Sequence, residues 1–233
     1  MNKKIVGELM KNVTIAIDGP AGAGKSTISK IIANELGFIY IDTGAMYRAV
    51  GLKAIRNNLN TSKDIQEIID MIKDISVEIK HGQHSQLIFL DGEDVTSQIR
   101  TPEVSIAASD VSAIPAVRIK LVDLQRKLAE NDDVVMDGRD IGSNVLPNAN
   151  IKIYLTATSD DRAKRRYDEL IEKGTPCDFD TVKADMEYRD ANDSNRAFAP
   201  LMVADGAIVV DTSGNSLEES IELLLITIKE RLN

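Results

Sequence analysis

Gly19-Pro20-Ala21-Gly22-Ala23-Gly24-Lys25-Ser26 decides the reading of this chain. The stretch spells G-x-x-x-x-G-K-[ST], a phosphate-binding loop. Glycines and small residues let successive backbone N–H groups turn inward as an anion nest. A helix following the loop adds free N–H groups and its positive dipole end. Lys25 then reaches the β- and γ-phosphates of a nucleotide, and the Ser26 hydroxyl is placed to ligate Mg²⁺. The flanks supply the context that the motif requires. Val13-Thr14-Ile15-Ala16-Ile17-Asp18 reads as a buried strand, and Ile28, Ile31, Ile32 and Leu36 recur as one helix face. A glycine-rich turn without a ligand is the weaker reading. The nucleotide-binding set is therefore Gly19 to Ser26, together with Thr27.

Composition narrows the classes. The 233 residues suit one domain with an appendage, or two small ones. With 43% hydrophobic residues the chain has an ordinary globular composition, and no apolar run is long enough to span a bilayer. The stretch Met1 to Met10 has a basic end but no adequate apolar segment, so it does not read as a signal peptide. The single cysteine, Cys177, excludes an internal disulfide and fits a reducing, cytoplasmic setting. It has no obvious base beside it and reads as inert. A net charge of −9 argues against nucleic-acid or anionic-membrane partners. Positive charge must then be concentrated locally to handle phosphates.

Short β-rich runs alternate with helical patterns, which predicts an α/β fold built on a mainly parallel sheet. Five core strands are expected at 13–18, 38–42, 133–137, 151–155 and 207–211. Asp18, Asp42 and Asp137 end three of them, and ligands bind beyond the carboxyl ends of such strands. All three acids are expected to point toward the crevice. Ser216 and Glu219 form a capping box for a last helix with Leu217, Ile221, Leu224, Leu225, Ile228 and Leu232 on its apolar stripe.

Two stretches break the alternation. Residues 76–80 and 86–90 flank a polar turn and predict a small antiparallel insert. His81 and His84 are the only histidines in the chain, and without a third they read as loop residues, not a metal site. Residues 158–196 are dense in charge, and Arg162, Arg165 and Arg166 fall at spacings that share a helix face. Beside a phosphate loop they suggest a mobile, helical, arginine-bearing lid, since arginines stabilise a transferring phosphoryl group. A solvated face paired with Asp161, Asp168 and Glu169 is the alternative. The expected division is a kinase core at 13–60, 101–157 and 197–233, an acceptor-side insert at 61–100, and a lid at 158–196.

Three further segments become specific once the loop is in place. They are Asp42-Thr43-Gly44-Ala45-Met46-Tyr47-Arg48, Asp137-Gly138-Arg139-Asp140, and Arg189-Asp190-Ala191-Asn192-Asp193-Ser194-Asn195-Arg196. In this order, with the hairpin insert, the chain resembles the bacterial cytidylate kinases over about residues 13–232. The resemblance implies a P-loop nucleoside-monophosphate kinase using ATP and Mg²⁺ on CMP or dCMP, cytoplasmic and monomeric. It assigns the acceptor phosphate to Thr43, Arg48, Arg139 and Arg196, with Tyr47 beside them. It assigns cytosine to Ser109, Arg118 and Asp140, ribose to Arg189 and Asp193, and ATP-facing lid roles to Arg162, Arg165 and Arg166. Lys25, Arg139, Arg165, Arg166 and Arg196 form the implied catalytic set. Some relatives carry further arginines where this chain has Asn192 and Ser194, and residues 1–12 exceed the usual family start.

Hydrogen-bond polarity agrees with the cytosine assignment. A guanidinium suits the O2 and N3 acceptors, and an aspartate accepts from N4–H₂, whereas uracil offers an acceptor there. A helix cap or an ion pair with Arg139 is the other role open to Asp140. Asp42 or Asp137 would order waters around Mg²⁺, with Ser26 as the direct ligand. Rival readings remain. Asp211-Thr212-Ser213-Gly214 matches a GTPase D-x-x-G, but no N-K-x-D follows it. A P-loop kinase for UMP, another monophosphate or a hydroxyl metabolite, or a nucleotide-binding module without turnover, is the nearer rival.

Overall fold

Apolar runs without polar alternation need cover on both faces, and the chain provides it with helices. The computed structural model describes residues 12–81 and 86–232. Its elements begin with β1 (Thr14–Asp18), α1 (Lys25–Leu36), β2 (Ile39–Asp42), α2 (Thr43–Arg56) and α3 (Ile65–Asp74). The insert follows as β3 (Val77–His81), β4 (Gln86–Leu90) and β5 (Glu93–Asp94), then a 3₁₀ turn at Gln98–Arg100. Next come α4 (Pro102–Ser112), α5 (Pro115–Leu128), β6 (Val134–Gly138), a single π turn at Ile141–Val145, and β7 (Ile151–Thr156). The chain continues through α6 (Ser159–Glu172), α7 (Phe179–Asn195), β8 (Ile208–Asp211) and α8 (Leu217–Leu232).

Five strands form one parallel sheet in the order β2-β6-β1-β7-β8. β1 is central, and its side chains divide between two cores. Ile15 and Ile17 pack with Ile28, Ile32, Leu224 and Ile228 beneath α1 and α8. Ala16 faces Ile41, Val122, Val134 and Met136 on the α5 side. Register sets Asp18 opposite Gly138 and Asp42 opposite Asp137, so the carboxyl ends of three adjacent strands meet at one edge of the sheet. The five expected strands are present, with ends moved by about one residue. Val13, for example, precedes β1 and donates its N–H to Asp133 Oδ1 at 2.6 Å.

The insert holds a three-stranded antiparallel sheet, one strand more than expected. β5 is too short and acidic to show apolar periodicity. The signal was the Asp91-Gly92 pair, both at positive φ (50° and 85°), which turns β4 into β5 as a two-residue hairpin loop. His84 and the side chain of His81 lie outside the described residues. The capping box of α8 forms in both directions, with Ser216 N–H on Glu219 (2.8 Å) and Glu219 N–H on Ser216 Oγ (3.1 Å). Leu224 and Ile228 of its stripe are fully buried. Leu217 is not, because it sits at the first turn, beyond the edge of the core.

α2 and α4 cross closely because Gly51 meets Ala107 and Ala108. A Cβ at Gly51 would lie 2.9 Å from the Ala108 nitrogen and 3.1 Å from Ala107 Cβ. Gly51→Val should therefore overpack this contact and cost about 1–3 kcal/mol, measured by urea denaturation, with no direct loss of a phosphate contact.

Candidate active site

The phosphate loop leaves β1 through a contact only glycine allows. At Gly19 (φ 150°) a Cβ would sit 2.0 Å from the Leu155 carbonyl oxygen. Pro20 and Ala21 continue the underside of the loop, and the buried Ala21 donates its N–H to Asp190 Oδ1 (2.9 Å). The wall of the cleft starts at Gly22 and runs through Ala23, Gly24, Lys25, Ser26 and Thr27. Gly24 caps α1 without a side-chain bond, which leaves the first N–H groups of that helix to a ligand. Lys25 is buried, and its ammonium donates to the Pro20 carbonyl (2.6 Å). Burial and the nearby Arg139 hold its pKa well below the usual lysine value.

Behind the loop stands an oxygen cluster. Ser26 Oγ donates to Asp137 Oδ2 (2.9 Å), and Tyr40 donates its hydroxyl proton to Asp137 Oδ1 (2.8 Å). Burial, then the facing Asp42, pushes the Asp137 carboxyl up to about 6. Asp42 caps α2 by accepting from Ala45 N–H (2.9 Å) and pairs with Arg100 (2.9 Å). Against the upward pull of burial, Arg100 and Arg48 keep its carboxyl below the ordinary range. Thr43 donates its hydroxyl to the Asp137 carbonyl (2.7 Å). These hard oxygen donors suit a Mg²⁺ ion that retains waters and phosphate oxygens.

From there a cleft of about 1080 Å³ runs past Arg48, Arg100, Arg139, Arg166 and Arg189 to Arg118, Asp140 and Arg196. Positive charge is crowded in its middle. Burial, followed by Arg139 and Arg48, pushes Arg189 down to about 9, and its Nε is buried with no hydrogen-bond partner. Burial, then Arg100, Arg139 and Arg166, lowers Arg48 despite Asp42 beside it. Arg139 is steadied by Asp193 (2.8 Å). At the far end Arg118, fully buried, pairs with Asp140 and stands over the Tyr47 ring (5.6 Å). Asp140 also accepts from Arg196 (3.1 Å) and Asn144 (2.9 Å). Its ion partners are thus Arg118 and Arg196, not Arg139. Ser109 Oγ accepts from Asn192 (3.1 Å).

One sequence expectation needs correcting, and the three lid arginines stand apart from one another. Asp18 does not face the cleft, because both its oxygens are taken by the backbone after β6. Arg162 and Arg165 do not join Arg166 on the cleft wall. Arg162 donates to the Ala21 carbonyl (2.7 Å) and pairs with Asp190 (2.5 Å), while Arg165 donates to the Thr212 carbonyl (2.6 Å). Arg166 lines the cleft and pairs with Glu169 (2.7 Å). Arg100 and Tyr40 were missed. Neither falls in a recognisable motif, although Tyr40 stands two residues before the strand-end Asp42, on the same strand face. Cys177 packs beside the lid cluster of Ala21, Ala163, Leu170, Val182 and Met186.

A family model described as cytidylate kinase matches residues 15–230. A protein from Caldicellulosiruptor bescii named cytidylate kinase is 55% identical over 216 residues, covering 93% of this chain and 95% of that one. One of the same name from Geobacillus sp. (strain WCH70) is 48% identical over 224 residues, covering 96% and 100%. A crystal structure of an uncharacterized protein from Eubacterium ventriosum has a TM-score of 0.52 at 15% identity, covering 94% of this chain and 99% of that one. This last likeness bears on the fold alone.

The crowded guanidinia make a direct prediction. Arg189 stays protonated at neutral pH, and its folded pKa lies below the ordinary arginine value of the unfolded chain. Its charge therefore costs stability below about pH 9, and the cost is lost as pH rises from there toward the unfolded value. Arg189→Met should melt higher than the parent in the absence of ligand at pH 7. It should also lose most of the rise in melting temperature that a nucleoside monophosphate gives the parent.

Proposed function

The chain belongs to the cytidylate kinase family; it transfers the γ-phosphoryl group of ATP to CMP or dCMP, and we propose how its own residues divide that work. The observation that carries the proposal is Asp140, a buried carboxylate fixed by Arg118, Arg196 and Asn144 at the closed end of an arginine-lined cleft. Asp140 accepts from the cytosine N4–H₂, Arg118 donates to the O2/N3 edge, and Ser109 completes the set. Uracil would set O4 against that carboxylate. Arg189 and Asp193 hold the ribose, and Thr43, Tyr47, Arg48, Arg139 and Arg196 hold the 5′-phosphate. Five guanidinia at this end match an anionic acceptor better than a sugar or metabolite hydroxyl.

On the donor side, the N–H groups from Gly22 to Thr27 cradle the ATP phosphates, and Lys25 leaves the Pro20 carbonyl for the migrating group. Ser26 would hold Mg²⁺, with Asp42 or Asp137 ordering its waters. The ion supplies charge neutralisation when bound. The acceptor phosphate is already anionic near neutral pH, so no side chain has to remove a proton. Catalysis rests on in-line placement and on guanidinium and ammonium groups aimed where charge develops. Arg166 stands on the cleft wall and joins first. Arg162 and Arg165 complete the lid on closure, Arg165 after leaving the Thr212 carbonyl, which also excludes water as a rival acceptor. One chain supplies every group in this scheme, and we assign it as a monomer acting on nucleotides in the cytoplasm.

With Mg·ATP, an ADP-release assay across the monophosphates should show good turnover of CMP and dCMP, poor turnover of UMP, and scarcely any of AMP or GMP. Discrimination against UMP of about 10⁴ is expected if the pocket stays dry. Equal use of UMP would remove Asp140 from base recognition and leave the kinase intact. Separately, Lys25→Met should lose most of kcat while remaining folded, because the point charge on the migrating group is gone. A folded Lys25→Met protein with parental kcat would rule out that role.

A further inference from the structure

Of Asp18, Asp42 and Asp137, Asp18 alone has no place on the cleft wall, yet it is 3% exposed and fully engaged. Its Oδ1 accepts from Ile141 N–H and its Oδ2 from Gly142 N–H, both at 2.8 Å. Burial pushes its carboxyl up to about 6, while these two bonds favour the charged form. Ile141 and Gly142 open the π turn at Ile141–Val145, and their N–H groups are among those a helical turn leaves unpaired at its start. The residue before such a turn ordinarily supplies the capping oxygen from its own side chain. Asp140 occupies that position and makes no cap bond. Its carboxylate is turned instead to Arg118, Arg196 and Asn144.

We propose that Asp18 is a positioning residue for base recognition: it caps the turn from the neighbouring strand and so frees the Asp140 carboxylate for the substrate base. The inference rests on the assignment of Asp140 to cytosine. Capping and base reading compete for the same two oxygens of Asp140. Without Asp18, the N–H groups of Ile141 and Gly142 are left buried and unpaired, and the residue at the cap position of the turn is Asp140. Asp18 precedes Gly19 directly, but its side chain bonds only the segment after β6 and none of the donor-phosphate loop's N–H groups.

The test is a double-mutant cycle of Asp18→Asn and Asp140→Asn in the intact enzyme. It reads kcat and KM for CMP and UMP, ATP affinity by calorimetry, and melting temperature. Asp18→Asn should raise KM for CMP about tenfold, the effect expected when the bound state loses one cap hydrogen bond. It should narrow the CMP-to-UMP ratio of kcat/KM by a similar factor and leave ATP affinity within about twofold. In the Asp140→Asn background the same change should add less than about twofold, because both substitutions act through one group. A purely structural Asp18 would lower kcat for both substrates together, with KM and the ratio unmoved and the two substitutions additive. That result overturns the proposal. If Asp18→Asn does not fold, Asp18→Ser, which keeps one acceptor, is read the same way. A parent enzyme that uses UMP as well as CMP counts against the Asp140 assignment, whereas a discriminating parent with unmoved variants counts against Asp18 alone.

Discussion

Repulsion among like charges is the constraint around which this protein is arranged. A chain with a net charge of −9 gathers seven arginines on the wall of one cleft, two of them buried. Guanidinia at such separation are tolerated because carboxylates stand between them. Asp42 takes Arg100, Asp193 takes Arg139, and Asp140 is shared by Arg118 and Arg196. The balance is deliberately incomplete in the middle, at Arg48 and Arg189, where the charge has no full counterpart. In the proposed scheme an entering phosphate supplies it. The donors are already in place before the ligand arrives, which is the condition under which electrostatic stabilisation costs no reorganisation during the reaction.

The sheet makes that arrangement possible. Parallel register brings the ends of β1, β2 and β6 level, so acids distant in sequence meet at one edge of the sheet, where Asp137 reaches Ser26 of the loop. Helices then distribute the cations. α2 carries Arg48, α5 carries Arg118, and α7 carries Arg189 with Arg196 at its end. α2 and α5 pack into one apolar cluster and α7 into another, so the distances between these arginines are set by apolar packing that the charges themselves do not control.

Much of this was legible in the sequence. Strands buried on both faces are continuous apolar runs, and the loop of Gly19 to Ser26 is punctuated by glycines that only its geometry explains. Motif spacing also brought Arg48, Arg139, Asp140, Asp193 and Arg196 into one cleft. Long-range pairing was not legible. Arg100 meets Asp42 across 58 positions from a 3₁₀ turn that has no pattern of its own. Arg162, Arg165 and Arg166 have the spacing of one helix face, but spacing cannot say which of them finds a backbone carbonyl nearby. Asp18 looked like its two counterparts because a strand-end rule gives the end of the sheet and not the direction in which the next strand's chain turns.

The shared carboxylate of Asp140 has a consequence for how this sequence can evolve. Two fully or nearly fully buried cations, from α5 and from the end of α7, share that anion. Losing it leaves Arg118 without its ion partner and Arg196 with only Asp193 at 3.7 Å, and breaking a buried pair in this way costs several kcal/mol. A lineage drifting toward another base therefore cannot pass through a change at position 140 alone. It must first replace Arg118 or Arg196, each of which the proposed scheme also uses on the substrate, so in that scheme the preference for cytosine is guarded by the stability of the fold as well as by selection on the reaction.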